Sequence, residues 1–429
     1  MTKVHSSVTK MYKYVALLLP YTDLYKVMKK LLLDIYYVWI NELKVVFRDP
    51  AVILLLVIVP LLYPVLYAYM YNNEAVHEVK AVVIDESNSA LSREFTRKVD
   101  GAADVNVVAH VSNMEEAREA MRRKEAYGII LIPASFNSDI NRGKQTSVLL
   151  YSDISSMLFY KAMMLTCTEV SLNMGAQIRV QDMGYGTQEQ DYATMQAVDY
   201  EWVPFYNVSN GFASFLVPAI LILVIQQTML LGIGTIVGTH NDKKRFTVAS
   251  HTSEGRDIHP FKLTIGKGFC YSIIYIVSSA WILRVVPYLF GLPQIGDPIT
   301  IAVFLFPFIL AASFFAMTLS YFSSQREFIM LLVVFTSVPF LFLSGISWPW
   351  PAVPPALKAI AYIIPSTPGI HGFVKINTMG ATLSDVRFEY IVLWIHAIVY
   401  CVLSTLMYYW WIDNYDPKYK EKHPSMKKF

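Results

Sequence analysis

The chain has 429 residues, 55% of them hydrophobic and 16% charged, with a formal net charge of +3 and a mean hydropathy of +0.40. That balance is too apolar for a soluble domain of this length, and it makes the bilayer the natural solvent; so small a net charge gives no reason to expect nucleic acid as a partner. Cys167, Cys270 and Cys401 are too widely separated to suggest a disulfide framework or a metal-binding spacing.

In chain order, residues 1–50 read as a cytoplasmic N-terminal region. The apolar patch at 15–19 is interrupted by Pro20 and Asp23 and is followed by no small-residue cleavage site, so it is not read as a secretory signal. Leu24, Val27, Met28, Leu31, Ile35, Trp39 and Leu43 then recur at helical spacing, with Lys26, Lys30, Asp34 and Asn41 on other faces. This predicts an amphipathic helix lying on the inner membrane surface, with Trp39 at the interface. After it, Asp49 suits an N-cap, Pro50 suits the first turn of a helix, and Arg48 suits the lipid headgroups.

A span needs roughly 20 mainly apolar residues, because about 30 Å of hydrocarbon must be crossed at about 1.5 Å per residue. Six segments are predicted to do so, at 51–71, 212–238, 263–290, 299–322, 328–346 and 390–412. Pro60, Pro64, Pro218, Pro287, Pro307 and Pro339 fall inside them and are expected to kink the helices without ending them. Lysines and arginines crowd the segment before the first span, the loop 239–261 and the tail 413–429, whereas the loop 291–298 has none. The positive-inside rule therefore puts both termini in the cytoplasm.

With that orientation, residues 72–210 lie outside the cytoplasm. Strand-like runs at 79–84, 128–132 and 147–151 alternate with a helical stretch at 114–123, which predicts an inserted α/β domain. A longer helix is expected over 155–183, and the polar run 184–196 reads as the return to the membrane.

Chemistry-bearing motifs are few. No G-x-x-x-x-G-K-[ST] loop is present, the nearest fragment being Gly266-Lys267-Gly268, and the nine histidines include no H-E-x-x-H pair. The chain is expected to have no catalytic residues, bound cofactor or metal of its own. Within the spans, Gln226 and Gln227 are polar at mid-helix and suit a path lining or a helix contact. Gly234 and Gly238 form a G-x-x-x-G that permits close helix approach, and His396 reads as a packed core histidine.

Three stretches resemble one family. The run 41–50, ending in Arg48, Asp49 and Pro50 before a proline-containing span, is similar to the elbow that leads into the first helix of type-2 ABC transporter permeases. The block with Ser344, Gly345, Trp348, Pro349, Pro354, Pro355, Tyr362, Pro365 and Pro368 resembles the stretch after the fifth helix of that family, where the chain turns back into the outer leaflet as short re-entrant helices, here at 347–369. Runs at 81–93, 115–125 and 128–136 look like the extracytoplasmic domain of the subfamily that includes bacterial drug-efflux permeases.

The resemblance implies a polytopic α-helical membrane protein of the bacterial inner membrane, with six transmembrane helices and re-entrant helices after the fifth. It also implies a second permease subunit, a cytoplasmic ATP-binding cassette ATPase that carries ATP and Mg, and often a periplasmic adaptor. Helices two and five are expected to meet those of the second subunit around a central path. One region departs from the pattern: the loop 239–261 lacks the family's acidic stretch. Arg245, Phe246 and Val248 are the residues expected to face the ATPase, since a docking helix needs apolar anchors. The expected function is export of an amphiphilic or hydrophobic substrate. The competing reading is a membrane scaffold or receptor with an extracytoplasmic interaction domain and no transport.

Overall fold

A computed structural model describes residues 28–72, 76–184, 187, 205–206, 211–242, 259–322 and 326–415. Contacts divide the chain into one unit of Met1–Asn72 with Phe205–Phe429 and a second of Asn73–Pro204. In chain order the elements are helix α1 (28–46), α2 (Pro50–Tyr71), β1 (Val79–Asp85), α3 (Ala90–Asp100), β2 (Val105–His110), α4 (Met114–Arg122), β3 (Gly128–Ile132), α5 (Phe136–Asn141), β4 (Leu149–Ser152) and α6 (Met157–Met183). They continue with α7 (Phe212–Asp242), α8 (Pro260–Leu289), α9 (Pro298–Ser320), α10 (Arg326–Leu343), α11 (Pro355–Ala361), α12 (Ser366–Met379) and α13 (Arg387–Tyr415).

Among the described residues five helices, α2, α7, α8, α9 and α13, are long and apolar enough to cross a membrane, and α10 contributes a shorter apolar stretch, Glu327–Leu343. Their ends are set by ordinary capping. The Asp49 carboxylate accepts the Ala51 N–H at 3.0 Å with Pro50 at the first position, and Asp297 accepts the Thr300 N–H at 2.9 Å ahead of Pro298. That N–H and the Thr300 hydroxyl hold the Asp297 carboxyl below its ordinary range.

Prolines leave a local signature in two of these helices. One π-turn covers Leu54–Ile58 and another Trp281–Val285, and each closes on an N–H one residue before a proline: Val59 donates to Leu54, and Val286 to Trp281. Pro60 and Pro287 follow, bring no N–H, and would press their rings on the carbonyls four residues back, so the wider turn accommodates them. The Leu283 carbonyl, deprived of its usual donor by Pro287, accepts Gln294 Nε2 at 3.0 Å. Trp281 Nε1 donates to the Leu61 carbonyl at 3.1 Å and ties α8 to α2.

The second unit holds a four-stranded sheet in the order β2-β1-β3-β4, parallel across its first three strands and antiparallel at β4. Side chains alternate along β1 and β3. Val79, Ala81, Val83, Ile130 and Ile132 point to one face, where Phe95 of α3, Phe136 of α5 and Met163 and Val170 of α6 cover them. Val82, Ile84 and Ile129 point to the other, against Ala117 of α4. A Cβ at Gly128 would lie 2.1 Å from Met163 Cε, so β3 approaches α6 as closely as a glycine permits.

Candidate functional site

The first constellation joins α1 to α8. The apolar spacing of α1 placed Asp34 on a face other than that of its leucines; that face carries Asp34, Val38, Glu42 and Val46, all buried and one helical turn apart. Leu32, Leu33 and Tyr36 are exposed on the opposite side. The helix is thus apolar outward and acidic inward, and the reason lies on α8. Lys262 Nζ meets Asp34 Oδ2 at 2.7 Å, and Lys267 Nζ meets Glu42 Oε2 at 3.2 Å. Tyr271 donates its hydroxyl proton to the other Glu42 oxygen, and Lys267 lies 5.7 Å from the Tyr408 ring centre on α13.

Lys267 is only 2% exposed and Glu42 5%, so this pair is removed from water. Such charges persist only when paired and hydrogen-bonded. The two glycines around Lys267 make the approach possible: a Cβ at Gly266 would fall 2.7 Å from Val38 Cβ, and one at Gly268 would fall 2.3 Å from the Phe314 ring of α9. The fragment Gly266-Lys267-Gly268 is therefore a packing and ion-pair element. A lysine inside a span was the sequence signal for it.

Of the elbow residues, Trp39 is half-buried, Asp49 caps α2, and Arg48 and Pro50 are exposed. Arg245, Phe246 and Val248 lie outside the described residues.

A second constellation sits inside the bundle. Gln226 and Gln227 are buried on α7, and neither amide has a hydrogen-bond partner among the described residues. The Ser366 and Thr367 hydroxyls at the start of α12 are likewise buried and unpartnered. Gly369 meets Ile222, while Val217, Pro218 and Leu221 share a cavity of about 10 Å³ with Phe373 and Asn377. The two helices therefore run antiparallel. That register brings Gln226, one turn beyond Ile222, to the level of Ser366 and Thr367.

The span of α7 is largely buried within this chain, whereas Leu331, Val334, Phe335, Val338 and Phe342 of α10 are exposed among the described residues. Gly234 is used inside the subunit, since a Cβ there would lie 2.1 Å from Ile329 Cγ1 of α10. Gly238 is buried on the same helix.

A third constellation follows α10. The Ser344 hydroxyl donates to the Leu341 carbonyl at 2.5 Å, and Gly345 turns the chain at φ +78°, where a Cβ would strike Trp350 at 2.8 Å. The Ser344 carbonyl lies 2.8 Å from His371 Nε2 on α12, and the Trp350 ring packs against His371 at 4.6 Å. Pro349, Pro354 and Pro365 each stand at the N-cap of the next short helical piece, so the prolines divide this segment into three. Beyond it, Lys375 meets the buried Glu389 of α13 at 2.6 Å.

These elements coincide with a family match. Residues 50–406, most of the chain, match the family described as "ABC-2 family transporter protein". The chain belongs to the ABC-2 transporter family. It is also similar to the linearmycin resistance permease protein of Bacillus subtilis (strain 168), at 22% identity over 373 residues, covering 80% of this chain and 91% of that protein. The molecule is thus an ABC-2 permease, a polytopic membrane transport protein. The match begins at Pro50, so the buried acids of α1 lie just before the matched region and their lysine partners within it. As an ABC-2 permease it implies an ATPase partner and a dimeric arrangement.

Proposed function

We propose that this permease is the membrane-spanning half of an ATP-driven exporter that moves an amphiphilic or hydrophobic substrate out of the cytoplasm or the inner membrane. The observation that carries this reading is the ABC-2 match over residues 50–406 in a chain with no phosphate-cradling loop. Hydrolysis then belongs to a separate ATPase holding ATP and Mg. The outward direction and the class of cargo draw on the relative, whose name is that of a resistance permease.

Six spans follow if α10, at about 27 Å, crosses together with the turn after it. Both termini and the loop 239–261 are then in the cytoplasm of a bacterial inner membrane, residues 72–210 are outside, and the pieces at 347–369 re-enter the outer leaflet. Arg245, Phe246 and Val248 face the ATPase. The ion pairs from α1 to α8 couple the elbow to the helix that leaves this loop, so that movement of one drags the other. Two copies meet along α10, and the unpartnered amides of Gln226 and Gln227 gain partners when the bundle opens. Outside, a periplasmic adaptor is a candidate partner.

The test is to purify the protein gently from its native membrane and assay the co-purifying ATPase. A stoichiometric nucleotide-binding subunit is expected, with its substrate-stimulated hydrolysis reduced about tenfold or more by Phe246→Ala, the scale of a hot-spot truncation. Repeated absence of such a subunit would favour a scaffold or receptor.

A further inference from the structure

The 14-residue helix α12 begins inside the bundle. Pro365 stands at its N-cap and supplies no capping side chain, and its first residues, Ser366 and Thr367, are 0% and 1% exposed. Neither hydroxyl has a hydrogen-bond partner among the described residues. Pro365 and Pro368 bring no N–H to this turn, so its side chains are its main donors. Helix α7 faces the same turn. A Cβ at Gly369 would lie 2.7 Å from Phe308 of α9 and 3.4 Å from Ile222 of α7, and the antiparallel register sets Gln226, one turn beyond Ile222, beside Ser366 and Thr367. Gln226 is 0% exposed, and both its amide nitrogen and its amide oxygen lack partners among the described residues.

A helix start carries the positive end of the peptide dipoles. The helices packed on this one supply no negative charge to meet it: α7 has no aspartate or glutamate from Phe212 to Thr239, and α9 and α12 have none at all. Glu389 of α13 is taken up by Lys375, toward the other end of α12. Buried polar groups cost free energy unless they are paired, and helix starts inside membrane bundles are where transport proteins hold anionic groups. We infer that the start of α12, with Gln226, receives the anionic head of an amphiphile, a carboxylate or a phosphate.

The donors match such a head. A carboxylate accepts at about four positions, and the two N–H groups of the Gln226 amide together with the Ser366 and Thr367 hydroxyls supply as many donors. A neutral polyol would use the same hydroxyls but gain nothing from the dipole or from the absence of acids. All three side chains are buried in this structure, so the head enters as α7 and α12 part. That the amphiphile is cargo rests on the exporter proposed above; the anion site itself belongs to the permease alone.

The experiment uses the full-length permease in a non-ionic detergent, with tritiated oleate and, in parallel, tritiated oleylamine as probes read by scintillation proximity. Unlabelled oleate is expected to displace labelled oleate at concentrations about tenfold or more below those of oleyl alcohol, the scale of a hydrogen bond to a charged group. Gln226→Leu, and separately Ser366→Ala with Thr367→Val, should each weaken oleate about tenfold and oleyl alcohol much less. Gln226→Glu should reverse the order and favour oleylamine, which a merely structural glutamine would not do. Monodisperse elution marks each variant as folded, and if Gln226→Glu fails that test the other two variants decide. Equal binding of oleate and oleyl alcohol, or an oleate preference that every folded variant keeps, overturns the site. Displacement by phosphatidylglycerol as effective as that by oleate supports the site and assigns it to a membrane lipid; displacement by oleate alone assigns it to a free amphiphilic acid. Co-purification of the ATPase is scored separately: its absence beside an intact oleate preference removes the exporter and keeps the site, and its presence without that preference does the reverse.

Discussion

Lys267 is the residue whose surroundings are hardest to read from its neighbours in sequence. Beside two glycines it looks like a broken phosphate loop, and only the fold shows that the glycines make room for Val38 and Phe314 while the ammonium meets Glu42. Half of the arrangement was legible: a lysine within an apolar run demands a partner. Its partner was not, because Glu42 lies more than 200 residues away in sequence, on a helix whose periodicity shows only which residues share a face. Breaking the pair leaves a lone charge in the interior. Lys267→Met in the purified protein is expected to cost about 3–5 kcal/mol of stability. Lys262→Met, which breaks the less buried pair with Asp34, should cost distinctly less. The double variant Glu42→Gln with Lys267→Met should recover part of the loss, since it removes both charges and keeps an acceptor for the Tyr271 hydroxyl. Unfolding followed by fluorescence in detergent reads all of these, and equal losses for Lys262→Met and Lys267→Met would show that burial does not set the cost.

The apolar helices were legible because their signal is redundant: some 20 apolar residues with few charges admit little else, and prolines that would end a soluble helix are absorbed by π-turns and neighbouring side chains. Gln294 is such a neighbour, donating to the carbonyl that Pro287 strips of its donor. Gln294→Ala alone is therefore expected to cost about 1–3 kcal/mol, the penalty for a buried acceptor left unsatisfied. In a Pro287→Ala background the new N–H at 287 serves the same carbonyl, and Gln294→Ala should cost less than about 1 kcal/mol. A double-mutant cycle on thermal stability measures the difference, and strict additivity would mean that Gln294 acts elsewhere, through Arg284. Elements of the second unit were harder to see. β2 alternates weakly because an edge strand has little to bury. α3 begins with a capping box whose third helical residue is Ser92, without the glutamate or glutamine that usually betrays one.

At the scale of the whole molecule, the insertion has what independent folding needs. Both faces of its sheet are covered by its own helices: Phe95, Phe136 and Met163 on one side and Ala117 on the other, and the described residues of both cores belong to this unit. Residues 73–204 expressed alone should therefore be soluble and fold cooperatively. The sharpest check is Gly128, where β3 runs so close to α6 that a Cβ would overlap Met163. Gly128→Val is expected to lower fragment stability by about 1–3 kcal/mol through overpacking, and Met163→Ala in the same fragment should return part of it by vacating the space. Circular dichroism with urea titration reads both steps. A fragment that melts without a cooperative transition, or one indifferent to Gly128→Val, would mean that the membrane unit completes this core, and that the α/β insertion is no separate folding unit.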